Sequence, residues 1–106
     1  MSERMKQLRL MLKNDPEDSF LMYAYAKELE YLDQPEKALE IYLKLKSSDP
    51  QYVGMYYHLG KLYELLEDQE KALQAYEEGI DVAKKIADYH ALSELNTAKT
   101  NLELEI

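Results

Sequence analysis

The side chains able to do chemistry in this 106-residue chain are few in kind. Cysteine is absent, and the two histidines, His58 and His90, have no further ligands at the short spacing a metal site uses. No glycine-rich loop could cradle a phosphate. The 21 carboxylates are spread along the chain as solvated faces are, not gathered as an acid–base pair. Catalysis, a metal and a cofactor are therefore not expected. One constellation does recur: Tyr23, Lys27 and Glu30 are repeated as Tyr57, Lys61 and Glu64. Residues three and four apart share a helix face, so each set would place a ring, an ammonium and a carboxylate side by side. That is recognition chemistry, in which the ring gives rigid contact area and the cation meets an acidic or carboxylate group of a partner. The competing reading is an ordinary lysine–glutamate surface pair, worth about 0.2–0.5 kcal/mol, beside half-buried tyrosines.

The elements that would position these sets form an internal repeat. Residues 16–49 laid on 50–83, an offset of 34, match at ten positions, and the Glu-Lys-Ala-Leu blocks at 36–39 and 70–73 coincide without a gap. Each unit reads as two helices. Met22, Tyr25, Ala26, Leu29 and Leu32 share a face, as do Ala38, Ile41, Tyr42 and Leu45. In the second unit the faces are Tyr52, Tyr56, Leu59, Tyr63 and Leu66, then Ala72, Tyr76, Ile80 and Ala83. Asp15 and Asp49 are expected to cap helices that begin with Pro16 and Pro50. Pro35 should open another helix and Asp68 cap the one after Glu67. The turns Asp33-Gln34 and Glu67-Asp68 are short enough to force antiparallel pairs.

The flanks extend the pattern. Met5, Leu8, Met11 and Leu12 make an amphipathic helix ending near Asn14, with Leu8 in the register of Tyr42 and Tyr76. At the other end Asp88 should cap a helix carrying Leu92, Leu95, Ala98 and Leu102 on one face, a lid over the apolar side of the stack. The expectation is a single all-α domain of about six helices. Its parts are a half-repeat at 1–14, repeats at 16–49 and 50–83, and over 84–106 the end of the last repeat helix plus a capping helix.

Composition agrees. The chain is 46% hydrophobic and 32% charged with only 3 glycines and 3 prolines, a balance that favours packed helices. The net charge of −8 is uneven: residues 1–13 carry Arg4, Lys6, Arg9 and Lys13 against Glu3, and the remainder is strongly acidic. An acidic body repels phosphate backbones, so nucleic acid is not an expected partner. No apolar run is long enough for a secretory core or a membrane span. The basic first helix runs directly into the repeats, which argues against a transit or membrane signal. Lack of cysteine fits a reducing cytoplasm, and Met1-Ser2-Glu3 reads as a natural start.

The repeat resembles the tetratricopeptide repeat family over residues 16–83. The family's first-helix aromatic, Leu-Gly and Tyr, followed by small and aromatic second-helix positions, are Tyr56, Leu59-Gly60, Tyr63, Ala72, Tyr76 and Gly79. The first unit has Met22, Tyr25-Ala26, Leu29, Ala38, Tyr42 and Pro50. Leu45 in place of a small residue and Lys84 in place of the closing proline depart from the pattern. Gly60 is expected where two helix backbones come close, and Tyr42 and Tyr76 in the space between repeats. The resemblance implies a right-handed α-solenoid whose first helices line a groove for a peptide or helix of another protein. By register the groove would hold Phe20, Tyr23, Ala24, Lys27, Glu30 and Tyr31, then Gly54, Tyr57, His58, Lys61, Glu64 and Leu65. One subclass clamps chaperone tails with a lysine and asparagine set, and no groove asparagine follows Lys27 here. The expected role is a protein-binding adaptor or scaffold. The alternative is a self-assembly module, a homodimer that covers what two full repeats leave exposed. Ten tyrosines, several off the core pattern, fit an interface of either kind.

Overall fold

Six α-helices carry the chain in the computed structural model, which describes residues 2–106. They are α1 (Glu3–Asn14), α2 (Ser19–Tyr31), α3 (Pro35–Ser48), α4 (Gly54–Leu65), α5 (Gln69–Ile86) and α6 (Tyr89–Glu105). No strand occurs among the described residues. Two compact units divide them: one runs to Asp49 and holds α1 to α3, the other is Pro50–Ile106 and holds α4 to α6.

Short polar side chains open most of these helices by accepting a backbone N–H that the first turn leaves unpaired. Ser2 accepts from Met5 at 3.0 Å and Asp18 from Leu21 at 2.9 Å. Asp68 and Asp88 do the same for Lys71 and Ala91, as expected. Pro35 opens α3 at its first position, where a missing N–H costs nothing.

Asp15 and Asp49, by contrast, stop helices instead of starting them. Their N–H groups bond to the carbonyls of Met11 and Leu45, and their φ angles of −142° and −146° lie outside the helix region. The ring of a following proline clashes with a helical residue before it, so each Asp-Pro ends the preceding helix. The next helix then starts only at Ser19 or Gly54. Asp49 instead accepts the Ser19 hydroxyl at 2.6 Å, tying the start of α2 to the end of α3.

The turn within each helix pair is the same device used twice. Asp33 and Glu67 take left-handed backbone, φ 59° and 62°. Gln34 and Asp68 then donate N–H back to Leu29 and Tyr63, which closes the helix end in a Schellman turn. Ala87 repeats the conformation at the end of α5, with Asp88 bonded to Ala83.

The first unit buries Met5 and Leu8 of α1 against Met22, Ala26 and Leu29 of α2, with Ala38, Tyr42 and Leu45 of α3. The second buries Met55, Tyr56, Leu59 and Leu62 with Ala72, Tyr76 and Ala83, closed by Leu95, Ala98 and Leu102 of α6. Each such leucine contributes about 1.5–3 kcal/mol. Gly60 does not mark a close approach of two backbones. A Cβ there would lie 2.6 Å from Cζ of Tyr76, so the missing side chain makes room for that ring. The ring of Tyr76 thus packs inside its own repeat. Gly79 is the tighter contact between helices: its Cβ would meet Cβ of Tyr56 at 2.6 Å and Leu95 at 3.0 Å.

Candidate functional site

In the first unit the outer stripe of α2 runs through exposed Phe20, Lys27 and Tyr31 and half-buried Tyr23, at helical spacing. The Lys27 ammonium lies over the Tyr23 ring, 5.3 Å from its centroid. A cleft of about 280 Å³ is bounded by Phe20, Tyr23, Ala24 and Lys27 together with Glu28 and Arg4, the last from α1. In the second unit the corresponding stripe of α4 is Gly54, Tyr57, Lys61 and Leu65. Lys61 again covers its tyrosine, 5.7 Å from the Tyr57 centroid. His58 stands edge-on to the same ring at 5.5 Å and 89°. The adjoining cleft of about 200 Å³ is completed by Glu94, Thr97, Ala98 and Asn101 of α6.

The tyrosine–lysine half of each expected set is therefore together, with the lysine exposed and the tyrosine half-buried. The glutamate half is engaged elsewhere. Glu30 accepts the hydroxyl of buried Tyr42, and Glu64 that of buried Tyr76. Lys61 remains 4.0 Å from Glu64. Burial pushes the Glu30 carboxyl above its ordinary range, opposed by the Tyr42 hydrogen bond and the Lys27 charge. The two phenols are held well above their ordinary value, first by burial and then by the adjacent carboxylate. These pairs satisfy phenol groups within each helix pair, so Glu30 and Glu64 serve the scaffold.

Two residues of the first cleft lay outside the sequence expectation. Glu28 is only 8% exposed, yet the position 34 residues on is Leu62, 1% exposed. Arg4 holds the register place of Ala38 and Ala72, both fully buried, and its Nε lies 3.7 Å from the Glu28 carboxylate. The signal was present in the repeat alignment as two charged residues in small and apolar slots. Among the described residues no group of histidine and carboxylate side chains could hold a metal ion. Nor is any helix among them long and apolar enough to cross a membrane.

A tetratricopeptide repeat family model matches residues 53–86. The crystal structure of a tetratricopeptide repeat domain protein from Salinibacter ruber is 44% identical. The match covers 81% of this chain and 97% of that one, with a TM-score of 0.78. This chain belongs to the tetratricopeptide repeat family. Two more distant tetratricopeptide-fold structures agree in fold alone. PcrH, solved in complex with the chaperone binding region of PopD, is 15% identical over 95% of this chain and 77% of its own, TM-score 0.87. The TPR2B domain of yeast Sti1, in its pHsp70 complex, is 18% identical over 96% and 82%, TM-score 0.88. No curated protein matches the sequence. Within the family, whose fold generally serves protein interaction, the all-α repeat architecture is thus that of a binding scaffold.

Proposed function

We propose that this tetratricopeptide repeat protein is an adaptor that binds a segment of a partner protein on the exposed faces of α2 and α4. One observation carries the reading: the Tyr23–Lys27 and Tyr57–Lys61 pairs recur identically, each an exposed lysine over a half-buried tyrosine ring. A cation held over an aromatic ring offers a partner both charge and rigid area. The complexes of PcrH and Sti1 support it by analogy of fold. The binding residues under this proposal are Phe20, Tyr23, Lys27, Tyr57, His58 and Lys61, with Glu30 and Glu64 behind them as supports. The domain plan is a half-repeat at 1–14, repeats at 16–49 and 50–83, and a closing segment at 84–106. A binding role without catalysis, in the cytoplasm, fits an acidic chain without cysteine.

The test is affinity capture from lysate of the source organism with wild type and a Tyr57→Ala, Lys61→Ala variant. Both must first show equal helical circular dichroism and melting points. The expected outcome is one protein captured by wild type and lost with the variant. Identical captures by both forms would remove α4 from the binding surface.

A further inference from the structure

We infer that the cleft between α1 and α2 is the anchor of this binding surface, and that it takes a carboxylate next to an apolar side chain within a partner's peptide segment. The inference rests on the adaptor reading and names its ligand chemistry. It starts from two departures from the repeat, both on this one cleft. A carboxylate, Glu28, occupies the position that Leu62 fills in the second repeat, and it is 8% exposed. A guanidinium, Arg4, occupies the place of Ala38 and Ala72, with its side chain 65% exposed. A buried carboxylate in place of a leucine does nothing for packing; here it faces Arg4.

The contact runs through Nε of Arg4, 3.7 Å from Oε2 of Glu28. Glu28 is the one carboxylate paired with Arg4 among the described residues, and the Arg4 side chain is 65% exposed. A planar, solvent-exposed guanidinium beside a carboxylate can still offer a ligand carboxylate two parallel hydrogen bonds. Lys27 supplies a second cation, 5.3 Å over Tyr23 on the same cleft. Phe20, 63% exposed, and the Tyr23 ring form the apolar wall. The cleft is therefore lined by two exposed cations, Arg4 and Lys27, against one carboxylate, Glu28, with Glu30 close enough to Lys27 to feel its charge. In a chain of net charge −8 this is a local positive site beside aromatic surface, complementary to an acidic, apolar segment. Arg4, Lys27, Phe20 and Tyr23 are the contacting residues, and Glu28 is a positioning residue that acts through Arg4.

An array of acetylated, amidated nonapeptides with randomised positions, probed with the full chain, tests this without terminal charges. Wild type should select peptides in which Asp or Glu lies within two residues of Leu, Ile or Phe. The best of these should bind Arg4→Gln roughly tenfold or more weakly, the loss of a charge-assisted contact. Glu28→Leu, which restores the residue type of the second repeat, should weaken binding several-fold while the melting temperature stays level or rises. A purely structural Glu28 would instead lose both together, and that result overturns its positioning role. Selection of neutral or basic peptides, or acidic peptides that Arg4→Gln binds equally well, overturns the inference. The adaptor reading survives that result if the selected peptides are lost with Tyr57→Ala, Lys61→Ala. No selection by wild type overturns both.

Discussion

Tyr42 and Tyr76 show how a single repeated residue can govern the response of the fold to pH. Each hydroxyl is donated to a half-buried carboxylate, Glu30 or Glu64, and each phenol is held above its ordinary value by burial and that neighbour. Below about pH 10 the phenols are protonated folded and unfolded alike, and the hydrogen bonds are fully present. Above it the unfolded chain gives up these protons while the folded chain keeps them. Stability should then fall by about 1.4 kcal/mol per pH unit for each tyrosine. Urea midpoints measured from neutral pH to about pH 11 should drop steeply at the alkaline end in wild type. Tyr76→Phe should remove one tyrosine's share of that slope. At neutral pH the same variant should lose about 1–3 kcal/mol, because the Glu64 carboxylate forfeits its phenol donor. An unchanged alkaline slope in the variant would show that Tyr76 does not hold its proton. Both members of each pair were visible in the sequence as identities at an offset of 34. Their connection was not, because helical spacing relates residues on one helix and says nothing of partners across a turn. By helix register alone, Glu30 and Glu64 fall on the groove face.

At the scale of elements, composition and periodicity located all six helices, but the loops between them followed rules that periodicity does not contain. Asp-Pro has the composition of a helix start and acts as a stop, since the constraint of proline on the preceding residue outweighs its fitness for a first helical turn. The left-handed residues at Asp33, Glu67 and Ala87 carry no glycine to announce them. The geometry of the turn, enforced by the 6→1 bond to the third-last helical carbonyl, overrides residue preference there. Ala87 has the least to gain from its conformation, having neither a polar side chain nor glycine's freedom. Ala87→Gly should therefore raise stability by about 0.5–1 kcal/mol, the relief of left-handed strain less the extra entropy of an unfolded glycine. Asp33→Gly should gain less, because aspartate tolerates this region better. Thermal or urea unfolding of the two variants measures the difference. A loss of stability in Ala87→Gly would mean that the strain at φ 58° is smaller than glycine's entropic cost. Gly60 was legible as a special position, but what it accommodates is a ring and not a backbone, a distinction only three dimensions supply.

For the whole molecule the question is whether the repeats leave enough apolar surface to demand a second copy. The exposed face of α6 carries Ser93, Asn96, Thr97 and Thr100. Its exposed apolar groups lie at opposite ends, Tyr89 at the start and Leu104 and Ile106 at the finish. Fifteen residues of helix separate Tyr89 from Leu104, about 22 Å at the α-helical rise, so they do not form one patch. On α1, Arg4 and Gln7 take the register places of Ala38 and Ile41 and face solvent, leaving Leu10 and Met11 as a small apolar exposure. A stable dimer usually buries about 800 Å² per partner around an apolar centre. Neither α1 nor α6 offers such a centre, and the other exposed large apolar residues Phe20, Tyr31 and Leu65 lie on the α2 and α4 faces proposed for a partner. Charge acts in the same direction. Residues 50–106 hold 5 basic and 11 acidic side chains, and 1–49 hold 8 and 10, so two copies repel unless opposed patches meet. The chain should sediment as a monomer from low micromolar to submillimolar concentration, with unchanged mass when salt is raised. A mass that doubles with concentration would support the homodimer instead. If added salt strengthened that association, charge repulsion would be what otherwise keeps the copies apart. If salt weakened it, the contact would be the basic α1 of one copy against acidic surface of another, which would make the cleft at Arg4 a self-association site.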